Sequence, residues 1–278
     1  MVVEVYPIKR LPRRFEVFDY LIPEGLEIKR GNFVLVPWRN RQIWGVAARI
    51  KEIPMRDIKL KTVAEVMDGI CLSDQEVRFY EQTAGDLVQS VGSILHAAWP
   101  KVPKRGKEFA RRERTGYQLT LPKSEIANVR QVFEQMNHLN QGFVLASDLR
   151  RTAVLIAGMI HEEPKQANLI ICPNGRDAEL LAAGLHHLKP ILVSGQETPI
   201  ARWQAWQAWR RQGGLFIGTR LSALLLHPEI KNVFVIRSGQ QNHKQEDRNP
   251  RYDTRRLARL IQDGWPAKLW QMDAVPRV

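Results

Sequence analysis

Short apolar runs bounded by proline, glycine and polar residues open the chain. Residues 2–5, 17–21, 33–36 and 43–50 read as strands, and the alternation over 62–66 predicts a fifth. Pro23-Glu24-Gly25 and Arg39-Asn40-Arg41 separate neighbours in this series. The spacing predicts a barrel-like or sandwich module, followed by helices over 74–89 and 91–98.

The pattern changes after about residue 123. A helical period over 124–137 leads to an apolar run at 143–146. Helices over 150–161, 176–187, 198–211 and 254–263 then alternate with short apolar runs at 168–172, 191–194, 215–217, 233–236 and 268–270. Strands of this kind, each followed by a helix, predict a parallel sheet covered on both faces. The expected class is α/β: a small β-rich domain over 1–100, a linker over 101–122, and one RecA-like parallel lobe over 123–278.

Composition narrows the picture. The 278 residues are 44% hydrophobic and 26% charged, which suits a folded core and excludes disordered or fibrous classes. Two cysteines, Cys71 and Cys172, are too few for a disulfide framework or a four-cysteine zinc site. The first residues lack a signal-peptide core and no long apolar run occurs, so a soluble cytoplasmic protein is expected, with no membrane partner. The net charge is +13, which points to a polyanion, nucleic acid above all. The excess is concentrated. Residues 101–114 alone carry a net +5, and Lys101, Lys104, Arg105, Lys107, Arg111 and Arg112 there could follow phosphates or merely solvate a connector.

Candidate chemistry is mostly missing. A phosphate loop would put glycines, Lys and Ser/Thr between the lobe's first strand and helix. Ser147-Asp148-Leu149-Arg150-Arg151-Thr152 stands there instead. A nucleotide hydrolase also needs carboxylates at a strand end to hold magnesium. The 233–236 strand is followed by Arg237-Ser238-Gly239-Gln240. Arg151, Thr152 and Arg237 therefore mark a degenerate nucleotide site, with no catalytic residue, metal or cofactor expected. His161, His186, His187, His227 and His243 lack metal-ligand spacing and read as surface or half-buried, and Cys172 reads as core. Trp203, Trp206 and Trp209 form one helix face that either stacks bases or packs on the sheet, with Trp209 at its edge.

The chain resembles the family of the bacterial primosomal protein N′, a replication-restart DNA helicase. The resemblance lies in Phe18-Asp19-Tyr20 with Pro23-Glu24-Gly25 close behind, then Val34-Leu35-Val36-Pro37, Trp44-Gly45-Val46, Leu60-Lys61-Thr62-Val63-Ala64-Glu65-Val66, and Ile94-Leu95-His96. It continues more faintly through Ser194-Gly195, Gly218-Thr219-Arg220, and Arg251-Tyr252 with Arg255. The first part implies a domain that binds the 3′ end of DNA. Phe18 would pack beside the terminal nucleotide, Asp19 would accept from its 3′-hydroxyl, and Lys61 would donate to it. Arg39 replaces the family's glycine and could add a phosphate contact.

The departures imply loss of the motor. The family's phosphate loop and its DEEH motif are both replaced, and the matches supply one helicase lobe without a second lobe or a cysteine-rich zinc segment. The expectation is a nucleoid-associated protein that binds 3′ ends or branched DNA in replication restart, with other primosome proteins as partners. It would lack ATPase and helicase activity. Arg255, Arg256 and Arg259 would add phosphate contacts. A protein-interaction scaffold, or a nucleotide-binding enzyme with a phosphate site rebuilt on Arg150, Arg151 and Thr152, are the alternatives.

Overall fold

The computed structural model describes residues 1–52, 59–103, 116, 123–146, 148–161 and 163–275. They form two compact units, Met1–Val102 and Pro103–Val278.

The first unit is built on strands β1 (Val2–Pro7), β2 (Phe18–Leu21), β3 (Asn32–Trp38), β4 (Arg41–Lys51) and β5 (Glu65–Cys71). They form an antiparallel sheet in the order β2-β1-β4-β3-β5. The sheet curls back on itself. Leu21 at the end of β2 makes a parallel bridge to Thr62, with Leu21 N–H donating to Lys61 O at 2.9 Å and Val63 N–H to Leu21 O at 3.0 Å. One face, carrying Val3, Val5, Val34, Val36 and Ala47, closes on itself as a small core. Helices α1 (Asp74–Asp86) and α2 (Val91–Ala98) follow β5, and Phe33 packs edge-on against Trp99, which also meets Tyr80. The central strands are thus buried on both faces, which is why their apolar runs are nearly continuous.

Local chemistry sets the helix ends. Ser73 and Glu76 form a reciprocal capping box at the start of α1. The helix stops at Asp86, short of the expected 89, because Val88 takes φ 54°. The fifth strand also lies later than its alternation suggested. Thr62 contributes one bridge, Val63 enters the core, and pairing with β3 begins at Glu65.

The second unit contains α3 (Lys123–Asn137), β6 (Gln141–Leu145), α4 (Leu149–Ile160), β7 (Ala167–Ile171), α5 (Gly175–Gly184), β8 (Ile191–Val193), α6 (Pro199–Gln212), β9 (Leu215–Gly218), β10 (Ile230–Ile236), β11 (Lys244–Gln245), β12 (Tyr252–Asp253), α7 (Thr254–Gly264) and β13 (Lys268–Asp273). Six of these strands form one sheet, β6-β13-β10-β7-β9-β8, in which every pairing is parallel. This is a RecA-like α/β lobe. β7 is buried along its whole length, as a parallel sheet with both faces covered requires.

Three readings need correction here. Trp203, Trp206 and Trp209 are all buried, Trp209 included. Trp206 Nε1 donates to Leu226 O at 2.7 Å and Trp209 stacks on Phe216 at 4.7 Å, so the face packs on the sheet and offers no ring to a base. His227 and His243 are buried rather than at the surface or half-buried. α5 ends at Gly184 and a single 3₁₀ turn, 186–188, carries His186 and His187.

Candidate nucleic-acid interface

Where β2 begins and β3 ends, the first unit holds a cavity of about 610 Å³. Phe18, Asp19, Arg39 and Lys61 all line it, so the four positions named from sequence come together. Phe15, Tyr20, Trp38 and Lys59 complete its aromatic and cationic character. Phe18 meets Trp38 edge-on at 4.8 Å and 76°. Tyr20 donates to Pro37 O at 3.1 Å, and burial pushes its hydroxyl up to about 12, so it is a fixed neutral wall.

Arg39 and Asn40 are the two-residue turn between β3 and β4, since Trp38 pairs with Arg41. Arg39 takes φ 53° and Asn40 does not share the positive sign. A positive φ at the first turn position is the type II′ pattern, which normally takes glycine. Here an arginine bears the strain. Lys61 Nζ lies 3.5 Å from Arg39 O, so the ammonium sits beside the turn.

Asp19 is held from the side opposite Phe18. Strand alternation places Glu4 across from Asp19 on β2 and across from Arg49 on β4. Lys51 Nζ bridges the two carboxylates, 2.9 Å from Glu4 Oε1 and 2.9 Å from Asp19 Oδ1. Arg49 closes on Glu4 with two hydrogen bonds of 3.1 and 3.2 Å. Burial raises the Glu4 carboxyl, but hydrogen bonds from Lys51 and Arg49 outweigh it and hold the group below its usual range. Burial likewise lowers Lys51, and its bonds to Glu4 and Asp19 reverse that to a net rise. Both groups therefore stay charged. Lys51 was missed from sequence. Its trace was a glutamate between valines in β1 and two cations spaced by two in β4.

Residues 8–100 match the 3′DNA-binding domain (3′BD) family model. The match contains Phe18, Asp19, Arg39, Lys51 and Lys61, and so the whole cavity. A Replication restart protein PriA from Rickettsia felis is 30% identical over 83 residues. That stretch is 30% of this chain and 13% of the relative's length. The first unit therefore resembles the 3′DNA-binding domain of PriA. The second unit lies outside the 3′DNA-binding domain match.

Of the basic residues assigned to phosphate contacts, Lys101 is exposed. Lys104, Arg105, Lys107, Arg111 and Arg112 lie outside the described residues. Arg255 is engaged within the protein. It grips Asp253 with two nitrogens and donates to Ser238 O at 2.7 Å, and its side chain is 9% exposed. It fastens the exit of β10 to α7. Arg259 is exposed and bonds Gln141 and Gln262.

The degenerate nucleotide site is partly assembled. Thr152 and Arg237 line a cavity of about 200 Å³ with Asp148, Gln240 and Asp273. Arg151 is not among them, because Glu125 on α3 takes its Nε at 2.8 Å. Asp148 caps α4, accepting from Arg150 N–H at 2.8 Å and Arg151 N–H at 3.0 Å. A carboxylate thus occupies amides at a helix start that could otherwise hold phosphate. The Thr152 hydroxyl donates to Asp148 O at 2.9 Å, and Arg237 pairs with the buried Asp177 at 3.3 Å. Among the described residues no group of three or more acidic, histidine or cysteine side chains could hold a metal ion, and no helix is long and apolar enough to cross a membrane.

Proposed function

We propose that the chain binds DNA at a free 3′ end through the cavity of its first unit, and serves replication restart without hydrolysing ATP. Forked or branched DNA is the substrate, and other primosome proteins are the partners. The observation that carries this reading is the cavity itself. Within the matched segment, an aromatic wall, a cationic rim and one carboxylate converge.

Each part has a task. Phe18 and Trp38 offer faces and edges to the terminal base and sugar, and such stacking tolerates any base. Arg39, Lys59 and Lys61 attract phosphate. Asp19 accepts from a 3′-hydroxyl but repels a 3′-phosphate, which makes a free end the preferred ligand. Lys51 holds Asp19 in place through their ion pair. The absence of hydrolysis rests on Asp148 at the start of α4 and on Arg237 where a metal-binding carboxylate would be needed.

The test compares forked DNAs ending in a 3′-hydroxyl or a 3′-phosphate at the junction, by fluorescence anisotropy without ATP. The hydroxyl end should bind about tenfold more tightly, the size of one hydrogen bond to a charged group. Asp19→Asn should erase most of that ratio. Equal affinity for the two ends in the unsubstituted protein would sink end recognition.

A further inference from the structure

The cavity accounts for one nucleotide, yet the cations around it extend further. Four of them gather at the β3–β4 turn, and Arg10 comes next to one of them in the chain. Lys61 lies beside Arg39, and Arg39 and Arg41 flank Asn40 in the β3–β4 turn. Lys9 Nζ sits over the Trp38 ring at 5.4 Å, and Arg10 follows it in the chain. Among the described residues, none of the five has a carboxylate within ion-pair distance. Arg13 is the cation of this loop that does, through Glu16 at 3.9 Å.

The group is held rigid from below. Ile8 N–H donates to Trp44 O at 2.9 Å and Lys9 N–H to Pro7 O at 2.7 Å. The first residues of α2 grip the same loop. Leu11 N–H donates to Ser93 Oγ at 3.2 Å, and Ser90 Oγ donates to Leu11 O at 2.9 Å. Gly92 permits the contact, since a Cβ there would fall 2.3 Å from Pro7 O. Like charges are therefore fixed side by side, at a cost to the free protein that a polyanion would remove. Burial and then Arg41 and Arg39 push the Lys9 ammonium down, and burial and then Arg10 do the same to His96.

We propose that this group is a phosphate track. The sugar–phosphate backbone of the nucleotides immediately 5′ of the terminal one runs from Lys61 over Arg39 and Arg41 to Lys9 and Arg10. The track rests on the end-binding reading and adds to it the upstream strand.

The full chain is titrated with 5′-labelled single strands ending in a 3′-hydroxyl, a dinucleotide and an oligomer of roughly eight nucleotides. Measurements are made at about 50 and 200 mM salt. The longer strand should bind about tenfold more tightly at the lower salt. In the Arg10→Gln, Arg41→Gln double variant that gain should fall below about threefold, and the slope of log affinity against log salt should drop by about 1.4, two single-strand phosphates. The hydroxyl-over-phosphate ratio should not move. Lys substitutions at the same two positions should restore the gain, since both side chains are exposed and the charge is what counts. A double variant that keeps its length gain and its salt slope overturns the track, as does unsubstituted protein that gains nothing with length. Length gain without any hydroxyl preference tells against end recognition and leaves the track standing.

Discussion

Arg39 shows how a single backbone angle decides a residue's cost and use. Its φ of 53° lies in the region where an L side chain is strained by about 1–2 kcal/mol. The protein bears that strain at the rim of the cavity and keeps a cation there. Arg39→Gly should therefore stabilise the first unit by about 1 kcal/mol, seen as a higher urea midpoint, because glycine meets no such penalty. It should also weaken binding to any DNA and lower the salt slope by about 1. A variant that is less stable would mean the turn carries no strain at this position. Asp19 depends on its surroundings in another way. Its residue type was legible as a hydroxyl acceptor, but Lys51, Glu4 and Arg49 enter only through cross-strand register, over separations of 15 to 47 residues along the chain.

Elements were read well where their period is local. The helices of the second unit and their intervening strands follow their apolar spacing within a few residues. β5 is the exception, since bridging from Thr62 and a register shift near Asn32 move its pairing along. The small β11–β12 pairing and the 3₁₀ turns gave no periodic signal at all. α4 carries the sharpest consequence. Its start is already satisfied by Asp148, its neighbouring cavity is about 200 Å³, and Arg151 is bound to Glu125. Pockets for ligands of nucleotide size are larger, about 300 Å³ and upward. ATP with magnesium should leave the thermal midpoint unchanged at millimolar concentration. A rise of several degrees would show a rebuilt nucleotide site and overturn the proposed loss.

At the scale of whole units, two buried histidines make the second sensitive to acid. Burial pushes His227 down to about 4, helped by the charge of Arg210, while its Nδ1 accepts from Glu229 N–H at 3.0 Å. Burial also lowers His243. Its Nε2 must donate to Ile236 O at 2.8 Å, so Nδ1 accepts from the Thr254 hydroxyl at 2.7 Å. Both folded values lie below the unfolded one of about 6.5, so the unfolded chain takes up protons first. The stability due to neutral histidine is whole above pH 6.5 and drains as pH falls toward 4. His227 alone should account for about 2 kcal/mol between roughly pH 7.5 and pH 5. Urea unfolding followed by tryptophan fluorescence is well placed to see it, since the Trp209 and His227 rings are 5.1 Å apart. His227→Asn keeps an acceptor for Glu229 and should flatten the pH dependence by that amount. An unchanged pH profile in the variant would mean that other groups carry the effect.

The amino-acid sequence by itself determined the two fold classes, the approximate elements, the basic surplus and the residue types of the cavity, because periodicity, charge and local motif are properties of short stretches. Tertiary structure decided which of those residues meet. It put Phe18, Arg39 and Lys61 around one space, tied Asp19 to Lys51, turned Arg255 and three tryptophans inward, and set Lys9 over Trp38 beside the β3–β4 turn. The physical reason is that strand register, burial and helix docking join residues far apart in the chain, and their energies depend on partners that no local pattern names.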